Sequence, residues 1–195
     1  AGAEIDTEIR PTIAAADLHR TYMQLLNAAL SPGTPSHLWS ELIEKAEGAA
    51  ADTDDDAAIF ARDTTIAHRH WLSANERRAH AQQAWAEVFD NVDVVLAPVQ
   101  PVAAFPHDIE RPYGKRTLSV NGANVPYRSV LFWAGLATMP HLPSVAIPIG
   151  HTADGLPVGM QLIGPKWSDH KILSMGEEIS SVLGQHFTPP PIVTA

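Results

Sequence analysis

Two stretches decide the fold. They are Leu142-Pro143-Ser144-Val145-Ala146-Ile147-Pro148-Ile149-Gly150 and Gly155-Leu156-Pro157-Val158-Gly159-Met160-Gln161-Leu162-Ile163-Gly164-Pro165. Apolar residues occupy both parities in each. A strand with one wet face alternates, whereas a strand apolar on both sides belongs to a sheet covered on both faces. Residues 144–149 and 157–163 are therefore read as strands with helices packed over them. The link 150–156 holds the turn pair Asp154-Gly155; it is long for a hairpin, though the strands can still pair through it. Pro148 and Pro157 must stand where the ladder asks for no N–H. Gly159 leaves room for a close backbone or helix. A third run, Val92-Asp93-Val94-Val95-Leu96-Ala97, is ended by Pro98.

Proline divides the rest. Only Pro11, Pro32 and Pro35 of the 16 prolines precede residue 98, and ten lie in 98–165. Proline removes a donor and clashes inside helices, so 36–97 can be helical and 98–165 is read as strands and loops. Leu18, Tyr22, Leu25 and Ala29 keep helical spacing, and Pro32-Gly33-Thr34-Pro35 breaks that helix. Trp39, Leu42, Ile43 and Ala46 mark a second, which Gly48 ends. Ala67, Trp71, Ala74, Ala81, Trp85 and Val88 form a longer stripe, with Arg78 its polar member. Ser73-Ala74-Asn75-Glu76 has the form of a capping box, which predicts two helices meeting near Ser73. Asp169 is expected to cap a closing helix with Ile172, Met175, Ile179 and Val182 inward. The class is α/β: 1–90 mainly helical, 91–165 strands and loops, 166–184 a closing helix, 185–195 an irregular tail.

Composition narrows the function. The chain of 195 residues has a formal charge of −9, a poor fit to nucleic-acid phosphates, whose binding rests on Lys and Arg. No apolar run nears the roughly 18–20 residues that span a bilayer, and no signal segment opens the chain. No membrane or nucleic-acid partner is expected, and the expected location is cytoplasmic. Cys is absent, which excludes a disulfide framework, a thiolate metal site and a Cys nucleophile.

No set of residues makes a complete active site. His68 and His70 are two apart on a helix and point away from each other. His107-Asp108 reads as part of a loop. Asp52-Thr53-Asp54-Asp55-Asp56 lacks the Gly and Glu of a calcium loop, having Ala57 and Asp63 there, and reads as a solvated acidic loop. Glu177-Glu178 reads as the wet face of a helix. Ser180-Ser181 lies inside the same helix, and no Gly-x-Ser-x-Gly elbow exists.

The second half nonetheless resembles the carboxy-terminal half of the amidase signature family. The two quoted stretches carry the resemblance. Asp93-Val94-Val95-Leu96-Ala97-Pro98-Val99-Gln100-Pro101 is similar to the family's strand and Pro-rich loop. Ala104-Phe105-Pro106-His107-Asp108, Val120-Asn121-Gly122, Pro126-Tyr127 and Trp133 resemble a bacterial and fungal amidase subgroup, as do Trp71-Leu72, Glu76-Arg77 and Trp85. Ala1-Gly2-Ala3-Glu4 is like the family's mid-chain strand entry.

The resemblance implies a partial amidase-signature fold, a mixed sheet with helices on both sides. It implies hydrolysis of a carboxylic acid amide through an acyl-serine, by a Ser–cis-Ser–Lys triad without metal or organic cofactor. The triad and its Gly/Ser-rich loop belong to the family's amino-terminal half, so no catalytic residue is carried onto this chain. The chain is expected to be a C-terminal portion, inactive alone, with the N-terminal half of the same enzyme and a small amide as partners. A homo-oligomer is compatible with this. The stretch 133–139 resembles a wall of the acyl pocket, where Trp133 offers an apolar face and Thr138 a hydrogen bond; Gln100, after its strand, is a further wall candidate. Two alternatives stand beside this reading: a non-catalytic binding module on the same scaffold, and a glutamine-hydrolysing amidotransferase subunit.

Overall fold

The computed structural model describes residues 2–185. Beyond Gln185, the expected tail lies outside the described residues. The first part is helical: α1 (Ala15–Leu30), α2 (Ser36–Gly48), α3 (Asp56–Thr64) and α4 (His68–Phe89). Then follow β1 (Val95–Pro98), a hairpin of β2 (Thr117–Val120) and β3 (Ala123–Pro126), α5 (Leu131–Thr138), β4 (Ser144–His151), β5 (Pro157–Ile163) and α6 (Asp169–Leu183). Among the described residues, no helix is long and apolar enough to cross a membrane.

The two deciding stretches pair with each other. β5 is central in the order β1-β5-β4, and all its pairings are antiparallel. The β4–β5 ladder slips at Pro148/Gly150, an irregularity where a missing N–H costs least. Five residues close the hairpin, with Gly155 N donating to Thr152 O. Both faces are covered, as the two-parity pattern requires. On one, Ala137 of α5 packs with Ala97 and Ile163, and Trp133 and Leu136 lie against them. On the other, α6 lies along β4 and β5. Leu162, Ile163 and Ile172 are fully buried, each worth about 2 kcal/mol.

Several expectations are corrected. Residues 68–89 form one helix, not two meeting near Ser73. Ser73 Oγ donates back to Arg69 O at 3.2 Å, so the hydroxyl serves a turn already made and caps nothing. The acidic stretch 52–56 is not wholly loop. Asp55 caps α3 by accepting from Ala57 N at 3.0 Å, and that bond holds its carboxyl below the ordinary pKa. The 98–165 segment contains a helix, α5, because no proline falls between Pro126 and Pro140. β1 begins at Val95 because Val92 N still closes on Val88 O at the end of α4. Asp169 is the first residue of α6 rather than its cap, which is Ser168, and Val182 faces outward at 68% exposure.

The helical part has its own core. Leu18, Tyr22, Met23, Ala81 and Met139 pack together where α1, α4 and the end of α5 meet. Beneath it lies Asp63, fully buried, its carboxylate gripped by Arg20 at 2.5 and 2.8 Å and by Asn27 Nδ2 at 3.4 Å. That carboxylate raises the pKa of the Arg20 guanidinium.

His19 makes the fold sensitive to acid. Its ring centroid is 5.4 Å from that of Phe132, and its Nδ1 is buried without a partner. Burial first, then the charge of Arg128, holds its pKa below the ordinary value. The unfolded chain takes up this proton near about pH 6.5, and the folded chain only at lower pH. The contribution is thus complete above about pH 6.5 and shrinks as the pH falls below it. Urea unfolding at about pH 7.5 and about pH 5.5 is expected to show an acid loss that His19→Gln reduces; equal losses in both proteins would refute the assignment.

Candidate functional site

β5 delivers one polar side chain into the apolar sheet. Gln161 is 6% exposed and sits on the face turned to α5. Its Nε2 donates to Pro98 O at 2.8 Å and to Trp133 O at 3.0 Å, and its Oε1 accepts from Ser144 Oγ at 3.2 Å. One amide thus ties the end of β1, the first turn of α5 and the start of β4. The sequence signal was an amide on the inward parity of an otherwise apolar run, but its partners lie far away in sequence.

The expected wall residues fall into two places. Trp133 is half-buried, with its ring edge-on to Phe132 at 5.1 Å and its body against Ala97, Ala137 and Ile163. Thr138 is exposed at the last residue of α5. Gln100 is exposed and borders a different feature, a surface groove of about 650 Å³. Leu96, Pro98, Ile149, Val158 and Met160 also line that groove, and Trp133 and Thr138 do not. The three side chains do not surround one cavity here. What connects the segment of Gln100 to that of Trp133 is the Gln161 amide.

Beside Thr138, His141 takes a positive φ of 58°, and its N–H donates to Thr138 O at 3.2 Å. Burial, then the charges of Arg78 and Lys166, lowers its pKa. This end of α5 therefore presents a neutral imidazole at neutral pH.

The other candidates take structural places. His68 stacks on Trp71 at 6.2 Å and is exposed, as is His70. Asp108 pairs with Arg111 at 2.6 Å rather than orienting His107. Asn121 and Gly122, at φ 51° and 81°, make the tight turn between β2 and β3, the geometry that favours Asn-Gly. The Ser73, Ser144 and Ser168 hydroxyls donate to Arg69 O, Gln161 Oε1 and Pro165 O. None of these bonds reaches a Lys, a His or another Ser.

Residues 14–173 match the family model described as Amidase. The chain belongs to the amidase family. Among curated amidase relatives, it is 31% identical over 121 residues to a glutamyl-tRNA(Gln) amidotransferase subunit from Gluconobacter oxydans, covering 62% of this chain and 22% of that protein. The chain thus spans less than a quarter of that relative's length. A crystal structure of an amidase superposes with a TM-score of 0.63 at 20% identity, over 87% of this chain and 36% of the other. A bacterial aryl acylamidase of the amidase signature family gives 0.60 at 19%, over 88% and 34%. These superpositions establish that the amidase-family chain has the amidase-type fold of helices and small antiparallel sheets.

Proposed function

We propose that this chain is the carboxy-terminal part of an amide-hydrolysing enzyme. It would supply strands, covering helices and part of the acyl-pocket wall, while the acyl-serine chemistry proceeds on polypeptide outside it. The carrying observation is the family match over 14–173. In the reaction, a serine oxygen attacks the amide carbonyl and ammonia or an amine leaves. Water then cleaves the acyl-serine to release the acid. No residue of this chain is assigned to that triad; Trp133, Thr138 and Gln100 are assigned to substrate contact. The N-terminal half of the same enzyme and a small amide are the proposed partners, in the cytoplasm.

Two observations favour this over a free-standing binding module. β1 and β4 each have one edge unpaired among the described residues. Leu96 at 48%, with Val99 and Ile149, leaves apolar surface beside the groove. Such edges and patches ordinarily receive a cover. Sedimentation with dye binding tests this: a monomer that binds no dye would favour the module.

The direct test is catalytic. The 195-residue chain is expected to release no ammonia or aniline from primary amides and anilides above buffer. A coding sequence extended upstream, carrying a Gly/Ser-rich stretch and an earlier Lys, is expected to release it. Turnover by the chain alone, or an extended protein without turnover, would overturn the proposal. The amidotransferase reading rests on the curated relative. It is favoured if the extended protein hydrolyses glutamine and no simple amide.

A further inference from the structure

The Gln161 amide is fixed more tightly than packing alone requires. Pro98 O and Trp133 O can only accept, so the NH₂ must face them, and flipping the amide would set its own oxygen against two others. Both of its donors are used. Its two partner carbonyls belong to the two stretches that carry the proposed wall: Pro98 leads into Gln100, and Trp133 opens the helix that ends at Thr138. No other hydrogen bond joins 98–104 to 131–138 among the described residues.

We propose that Gln161 is a positioning residue that sets the separation of the 98–100 segment from α5, and through it the shape of the acyl pocket. The second half of this statement rests on the amidase reading; the first does not. Gln161 acts through Pro98 and Trp133 and touches no reacting atom. A side chain that merely fills space would be replaced by Met without local effect. A carboxyl in its place would be informative through pH. When protonated it offers one O–H to two carbonyls, and when ionised it offers none and repels both.

The test begins without substrate. The 195-residue chain carries 5-fluorotryptophan, and the fluorine line of Trp133 is followed with the amide lines of Val99 and Gln100. In Gln161→Met these three are expected to shift by more than a line width, while the fluorine lines of Trp39, Trp71 and Trp85 stay. In Gln161→Glu the same three shifts are expected to grow as the pH rises through the new carboxyl's titration. This arm keeps the test valid if the Met variant folds poorly. Uniform shifts across all tryptophans, or a Glu variant that ignores pH, would overturn the positioning role and leave the amidase reading standing.

A second arm uses the extended protein. There Gln161→Met is expected to raise KM about tenfold with kcat within about twofold, the pattern of lost ground-state and transition-state binding alike. A fall in kcat at constant KM would overturn the pocket role. Absence of hydrolysis in the unsubstituted protein would instead refute the amidase reading.

Discussion

Arg20→Met is expected to lower the unfolding free energy by about 3 kcal/mol at neutral pH, the scale for breaking a buried ion pair from one side. Asp63 is fully buried, and Arg20 supplies two of its hydrogen bonds at 2.5 and 2.8 Å. Removing the guanidinium leaves the carboxylate with Asn27 Nδ2 at 3.4 Å and no cation. The attraction itself is not the main quantity lost, since the arginine side chain is 44% exposed and solvent weakens its pull. The cost lies in the stranded charge. For that reason the double variant Arg20→Met/Asp63→Leu is expected to recover most of the loss. Urea unfolding of the two variants decides it. A double variant as unstable as the single one would show that packing, not charge burial, governs this site.

Gly135→Val is expected to cost about 3 kcal/mol, at the upper end for overpacking a core. Gly135 lies within α5 and is buried. A Cβ at this position would stand 2.6 Å from Tyr22 Cδ1 and 3.0 Å from Cγ. Tyr22 is itself 7% exposed and held in the α1 core, so its ring has nowhere to move. An opposing effect exists: glycine inside a helix is worse than alanine by about 1 kcal/mol. The steric term exceeds it, and the branched valine widens the gap. Thermal unfolding should register a drop of roughly 6–12 °C for a domain of this size. Gly135→Val combined with Tyr22→Ala is expected to regain part of that drop. A single variant with unchanged Tm would mean that α1 and α5 can separate freely.

Legibility followed the range of the interactions. The β4–β5 hairpin could be read because both strands, their turn and their prolines lie within 25 residues of one another. α1 and α2 were legible for the same reason, being periodic segments closed by Pro-Gly-Thr-Pro and by a glycine. α5 was missed because the surrounding prolines hid a proline-free stretch between Pro126 and Pro140 just long enough for two turns. The break expected at Ser73 failed because a capping box is only a local option, and a continuous buried stripe of Ala74, Ala81, Trp85 and Val88 outweighs it. At the candidate site, Trp133, Thr138 and Gln100 came from resemblance, and Gln161 from the tertiary packing alone. Its bonds reach across 63 and 28 residues, a distance over which no spacing rule operates.

The sequence by itself determined the α/β class, the helix-covered sheet and the family resemblance, because hydrophobic parity and proline placement act between neighbours along the chain. Only the tertiary structure decided which polar groups are buried together. Arg20 meets Asp63, and Gln161 meets Pro98 and Trp133, because packing brings distant segments within about 3 Å, and hydrogen bonds and ion pairs are selective only at that range.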